Sequence, residues 1–223
     1  MAVMEGGTSG ALQEVGVAAA SAAHMQMKPP PHGALGHYRT AVRLSIVASQ
    51  AANSRLFEIR NTATNIIVIT GLNLKWIQTA AHTAAILDSL DVFRVTGFTA
   101  VDTTNTVTPT ATVKRTAGMA ASPGGAAIRH ATVAGIAAGM TGGTLTKDGN
   151  AYSITPQWLL IAQPTAGTVN PIYAEVVASD ALYTHPLTLA QNEGIIIENR
   201  VVLGVAAGSD VTIECSWAEL TTF

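Results

Sequence analysis

At 223 residues with a net charge of −2, the chain can hold one large β domain, or a medium domain with an extension. Only 12% of its residues are charged, about half the usual share, and aromatics are 5%, so the 48% hydrophobic content is largely Ala and Val. The longest basic run is Lys114-Arg115, which does not suit a nucleic-acid backbone, and no stretch reaches the ~20 apolar residues of a membrane-spanning helix.

Residues 1–37 are rich in Gly, Ala, Met and Pro and show no sustained period. Pro29-Pro30-Pro31 favours extended polyproline geometry and cannot pair in a sheet. An Ala-rich helix over 11–23 would be marginal without packing. The segment therefore reads as an extended arm. Leu12, Val15, Met25, Met27 and Pro29 to Pro31 are its candidate partner-binding residues, ordered when laid on another surface. VGVAAASAA has the look of a short signal core, but Glu5 and Glu14 precede it and no Lys or Arg does. A cytoplasm-like, reducing place of synthesis is expected.

From Tyr38 to the end, 38–223, the pattern is that of strands. In YRTAVRLSIVAS, Thr40, Val42, Leu44 and Ile46 alternate with Arg39, Ala41, Arg43 and Ser45. SRLFEIRN is a second strand closed by Asn61. NIIVITGLNLKWIQ is a third, with Ile66, Val68, Thr70, Leu72, Leu74 and Trp76 on one face and Gly71 as a bulge or close approach. AAHTAAILDSL reads as a short helix or crossing loop, and DVFRVTGFTAVD resumes the alternation. TVTPTATVKRTAG contains Pro109 and so belongs at a sheet edge. MAASPGGAAIRH reads as a loop, and Asp148-Gly149 in LTKDGNAYSI as a hairpin turn with positive φ. QWLLIAQP and PIYAEVVAS are strands around a Thr/Gly turn. The last 38 residues form a hairpin or meander of PLTL, GIIIENRVVL and SDVTIECSWAEL. In the final strand Val211, Ile213, Cys215 and Trp217 point one way, and Thr212, Glu214 and Ser216 the other. Eight to ten strands without a long amphipathic helix predict an all-β, jelly-roll-like antiparallel β-sandwich.

The search for chemistry finds little. Glu193 and Glu198 flank three isoleucines, but catalytic carboxylates must converge on one bond, and residues five apart on a strand point apart. Asn192-Glu193-Gly194 reads as a turn, Ile195 and Ile197 as core, and Glu198 as outward-facing. Substituting either glutamate by Gln is expected to cost modest stability. His32 and His37 in a Gly-rich linker lack further metal ligands, and His185 before Pro186 reads as a capping or packing residue. Cys215 is the only cysteine, which excludes a disulfide within the chain, and V-T-I-E-C-S-W makes it a core residue. Trp76, Trp158 and Trp217 lie in apolar alternations and read as core. There is no G-x-S-x-G elbow. GGTSG and SPGG lack the Gly-Lys-Ser/Thr ending of a phosphate loop, and Asp148-Gly149-Asn150 lacks the other acids of a Ca²⁺ loop. No cofactor, no metal and no catalytic residue is expected.

The C-terminal pattern H-P-L-x-L-x-x-N-E-G, then aliphatics, then G-S-D-V-T-I-E-C-S-W-A-E, resembles structural proteins of tailed-bacteriophage virions. Gly6 to Val15, Tyr38-Arg39, Phe57 to Asn61, His185 to Gly194 and Trp217 to Glu219 carry the resemblance, in order along most of the chain. It implies a virion component, foremost a capsid decoration (cement) protein. Such a protein oligomerises, with a trimer favoured, and lays its arm on neighbouring major capsid protein subunits. Many modest contacts on a repetitive shell then act together. A tail, collar or spike component that contacts other virion proteins or a host receptor is the alternative, and a glycan-acting or metal-dependent sandwich enzyme a third reading. Low surface charge fits a surface covered by copies of the chain or by a partner.

Overall fold

The computed structural model describes residues 3–5, 12–14, 35–46, 50–78, 86–109, 113–114, 125–132, 139–155, 158–160, 172–177, 187–201 and 209–221. The chain divides into two compact units, Met1–Pro31 and His32–Phe223. In the first, β1 (Val3–Glu5) and β2 (Leu12–Glu14) pair antiparallel, with Glu5 opposite Leu12. Residues 12–14 are thus strand where a helix was one option.

The second unit is all-β, with every pairing antiparallel. Its strands are β3 (Gly36–Ile46), β4 (Arg55–Asn61), β5 (Ile66–Gln78), β6 (Ile86–Asp88), β7 (Leu90–Ala100), β8 (Thr106–Val107), β9 (Val113–Lys114) and β10 (Ala126–Ala131). They continue with β11 (Thr144–Lys147), β12 (Ser153–Ile154), β13 (Trp158–Leu160), β14 (Ile172–Val177), β15 (Leu187–Leu189), β16 (Gly194–Asn199) and β17 (Ser209–Leu220). A seven-stranded sheet runs β11-β7-β16-β4-β10-β8, with β12 also on β7. A six-stranded sheet runs β14-β5-β17-β3-β9, with β15 also on β5, while β6 and β13 pair separately. Among the described residues there is no helix, and hence none that could cross a membrane.

One apolar core joins the two sheets. Val42, Leu44, Leu72, Leu74, Trp76, Val211, Ile213 and Trp217 meet Phe57, Ile59, Val92, Ile128, Ile195 and Ile197, which makes the arrangement sandwich-like. β3 and β17 behave as their alternation requires. Tyr38, Thr40, Val42 and Leu44 are buried while Arg39, Ala41, Arg43 and Ser45 are exposed, and Tyr38 stacks on its register partner Trp217 at 5.8 Å between ring centroids. Cys215 is wholly buried, and burial pushes its thiol up to about 12.

Several expectations change once pairing is known. β5 does not keep one face. A bulge opposite Ser216 and Trp217 leaves Thr70 as the extra residue beside Gly71, so Ile67 and Ile69 join the core before it and Leu72, Leu74 and Trp76 after it. The bulge falls at the glycine, and it reverses the phase. The Pro109 segment becomes two short strands, β8 at the edge of one sheet and β9 at the edge of the other, since proline cannot donate to a ladder. The expected loop at MAASPGGAAIRH ends in β10, which pairs with β4. β13 and β14 do not form a hairpin, because β13 pairs with β6 and β14 with β5.

Asp148-Gly149 is no hairpin turn either. β11 and β12 both pair with β7, and residues 148–152 form a swelling in one interrupted edge strand. Gly149 is not among the positive-φ residues. Nor do the last strands make a meander: β15 lies on β5, β16 between β4 and β7, and β17 between β3 and β5. The chain changes sheet at each step: β16 and β17 each insert between two distant strands, and β15 pairs with β5 alone.

Candidate functional site

The turn before β16 is Ala190 to Glu193, closed by Glu193 N donating to Ala190 O at 3.0 Å, with Asn192 at φ 60°. Asn tolerates this left-handed conformation better than most residues. The Glu193 carboxylate accepts Ala190 N at 2.9 Å and Arg94 Nη2 at 2.8 Å. Asn61, buried at the end of β4, donates Nδ2 to Leu189 O and Asn65 O. Glu193 is therefore a turn residue with a surface ion pair.

Glu198 faces the outer side of the seven-stranded sheet, as its alternation with Ile195 and Ile197 requires. That side is partly covered. Ile196 packs there with Val95 and Phe98, and Phe93, Val101 and Leu145 close over them. Leu145 belongs to β11, so the edge segment 139–147 shelters the outer face. Beneath it lies a charge cluster. Arg55 Nη1 donates to Asp102 Oδ2 at 2.6 Å and stands 3.9 Å from Glu58 Oε2, while its Nε is 4.0 Å from Glu198 Oε1. Lys147 Nζ donates to Glu198 Oε2 at 2.7 Å and lies 4.3 Å from the centre of the Phe93 ring. The side chains of Glu58 and Asp102 are 0% exposed, that of Glu198 6%, and that of Arg55 18%.

Burial pushes the Glu58 carboxyl up to about 8. The Asp102 amide N–H and the Arg55 charge act against the rise, and the Asp102 carboxylate adds to it. Asp88 is a second buried acid, pushed up to about 6 by burial, although its Oδ1 accepts the amides of Ser89, Arg200 and Val201. On the outer face of the six-stranded sheet, Glu214 accepts Arg39 Nη2 at 2.8 Å and Lys75 Nζ at 3.1 Å. Asp210 accepts Ser45 Oγ at 2.7 Å and pairs with Arg43. Partial burial pulls both acids up, but these partners outweigh it and hold both below the usual carboxylate range.

A general acid or base must reach a reacting proton. Glu58 has the raised proton affinity but no exposed atom, and its Oε1 is taken by Asp102 N at 2.8 Å. Glu193 and Glu198 share no partner, since one holds Arg94 and the other Arg55 and Lys147. Among the described residues no group of three or more His, Cys, Asp or Glu is arranged to hold a metal ion. Glu58, Asp102 and Glu198 have cations between them instead. His37 is buried, with Nε2 3.0 Å from Thr70 Oγ1, and His130 Nδ1 lies 2.8 Å from Ala131 O. Trp76 and Trp217 are core residues.

Of the arm residues singled out from sequence, Leu12 lies in β2, opposite Glu5. Val15, Met25, Met27, Pro29, Pro30 and Pro31 fall outside the described residues, as do His32, His185 and the side chain of Trp158. Sequence reasoning missed Arg55, Glu58 and Asp102. The available signal was Glu58 between Phe57 and Ile59, a lone acid on the far face of a strand, which by default faces water. Glu219 was missed in the same way: wholly buried, it accepts the amides of Gly125 and Ala126 at 3.1 Å. Comparison of the chain with protein-family models, curated proteins and solved structures finds no match.

Proposed function

We propose that the chain is a structural component of a phage virion, foremost a capsid decoration protein with a mechanical rather than catalytic role. The observation that carries this reading is the ordered set of stretches resembling tailed-phage virion proteins, His185 to Gly194 and Trp217 to Glu219 above all. The site geometry supports it in one respect: among the described residues the buried acids are held by Arg55, Lys147 and backbone amides, and Glu193 is held by Arg94 at the surface. In this reading the domain oligomerises, as a trimer by preference, and the arm lies on neighbouring capsid subunits. The jelly-roll-like strand order belongs to the same proposal, supported by strands β15, β16 and β17 alternating between the two sheets. The protein is then made in the host cytoplasm and ends in the particle.

Two truncations test the arm. Gly36 and His37 already pair with Glu219 and Ala218 in β3, so removing 1–37 cuts into the sheet, whereas removing 1–31 spares it. The 1–31 deletion is expected to stay folded and to lose binding to purified capsids. Unchanged binding by that variant sinks the arm. Electron microscopy of purified particles tests the placement: many copies spread over the shell support decoration, a few at one vertex point to the tail or collar, and none removes the virion reading.

A further inference from the structure

The cluster on the outer face of the seven-stranded sheet holds more acid than base. Glu58, Asp102 and Glu198 bring three carboxyl groups, while Arg55 and Lys147 are the cations placed on them. The other charges on this face are engaged elsewhere: Arg60, two residues along β4, lies over the Phe98 ring and donates to Asn192 Oδ1. Arg129, opposite Glu58 on β10, donates to Ile128 O, and Asp91, opposite Glu198 on β7, accepts from Ser89 Oγ. Within the cluster, Glu58 is the poorly served member. Its Oε2 is buried with no hydrogen-bond partner, and Arg55 stands 3.9 Å away. A buried carboxylate oxygen without a donor is costly, whereas a protonated one becomes a donor itself, with the Asp102 carboxylate as the neighbouring acceptor.

The two acids differ in what holds them. Glu58 is on β4, paired along both edges by β10 and β16. Asp102 is on the loop after β7, and that loop is tied to the covering segment. Asp102 Oδ1 accepts Gly143 N at 2.7 Å, Thr103 and Thr104 donate to Thr141 O, and Thr141 N donates back to Thr104 O. Lys147 then fastens the same segment to Glu198. We propose that the Glu58–Asp102 pair is a proton-held latch. With the proton on Glu58, loop 101–105 and segment 139–147 close over the outer face. When the proton leaves to solvent, two like charges face each other; the Asp102 N–H bond to Glu58 Oε1 resists, but the repulsion between the carboxylates carries Asp102 outward with both segments because β4 cannot yield. Burial and the Asp102 charge place the release in mildly alkaline solution, near pH 8. This inference does not depend on the virion reading.

Amide hydrogen exchange across pH, corrected for the intrinsic rate, tests the latch on the full chain. Protection of Asp102, Thr103, Thr104 and Gly143 is expected to fall about tenfold or more between about pH 6 and pH 9.5, while Ile195 and Ile197 in β16 hold theirs. Glu58→Gln keeps a side-chain donor toward Asp102 without the charge and should abolish the pH dependence. An equal fall in the variant, or no fall in the native chain, overturns the proposal. A carboxyl-carbon NMR titration of the native protein checks it without any variant. Glu58 titrating in the ordinary carboxylate range ends the idea, and titration near pH 8 supports it.

Discussion

Taking the charge from Glu198 leaves Lys147 with a weaker acceptor and Arg55, which is largely buried, with one fewer counter-charge. Taking it from Glu193 leaves a Gln that can still accept Ala190 N, beside a partly exposed Arg94. The two substitutions should therefore differ. Glu193→Gln is expected to cost about 0.5 kcal/mol or less, as exposed ion pairs do. Glu198→Gln should cost about 1–3 kcal/mol, the range for breaking a buried charged hydrogen bond. Urea denaturation of both variants measures the difference, and equal costs would mean that Glu198 is as well solvated as Glu193. The alternation of GIIIEN placed Glu198 on the outer face correctly. That this face is sheltered depends on Leu145 and Lys147, some fifty positions earlier, so its burial was not legible in the stretch itself.

At the level of the element, β16 is held by its closest approach. A Cβ on Gly194 would collide with Ile59 O and come within 2.7 Å of the Phe98 ring, at the point where β16 first meets β4 and β7. Gly194→Ala is expected to lower stability by about 1–3 kcal/mol through overpacking, read as a drop in the urea midpoint without change of slope. A neutral result would mean that β4 can shift. Turn chemistry read from the sequence is partly right here and fails elsewhere: the turn expected at Asn192-Glu193-Gly194 lies at Ala190 to Glu193, and Gly194 already belongs to β16. Asn192 takes the positive φ that Asn permits, but Asp148-Gly149, a stronger hairpin signal, turns no hairpin because β7 offers its edge to both flanking strands. Gly71 marked its bulge, yet only the pairing with β17 shows that the inward face of β5 changes there.

For the whole molecule, the buried acids set the pH dependence. Glu58 is raised from 4.5 to about 8 and Asp88 from 3.8 to about 6, so the native state binds more protons than the unfolded chain inside those windows. Stability is then expected to fall as pH rises from about 4 through about 8, with the Asp88 contribution lost as pH passes through about 6. Asp210 and Glu214 are lowered and act oppositely: their contribution is present above the ordinary carboxylate range and is lost as pH falls through it. Maximum stability is expected on the mildly acidic side. Denaturation series from about pH 3 to pH 9 on the native chain, Glu58→Gln and Asp88→Asn check this. Each variant should flatten its own window, and a native chain most stable near pH 9 would contradict the assignment.

The sequence by itself determined the all-β character, the inward faces of β3 and β17, the burial of Cys215 and Trp217, and the edge placement around Pro109. These follow from period-two alternation and from proline's missing N–H, both properties of residues near one another in the chain. Only the tertiary structure decided which strands are neighbours, where β5 changes face, and that Arg55, Glu58, Asp102, Lys147 and Glu198 meet in one sheltered cluster. Those outcomes depend on which distant segment covers a given face and on which donors it brings to each buried acid.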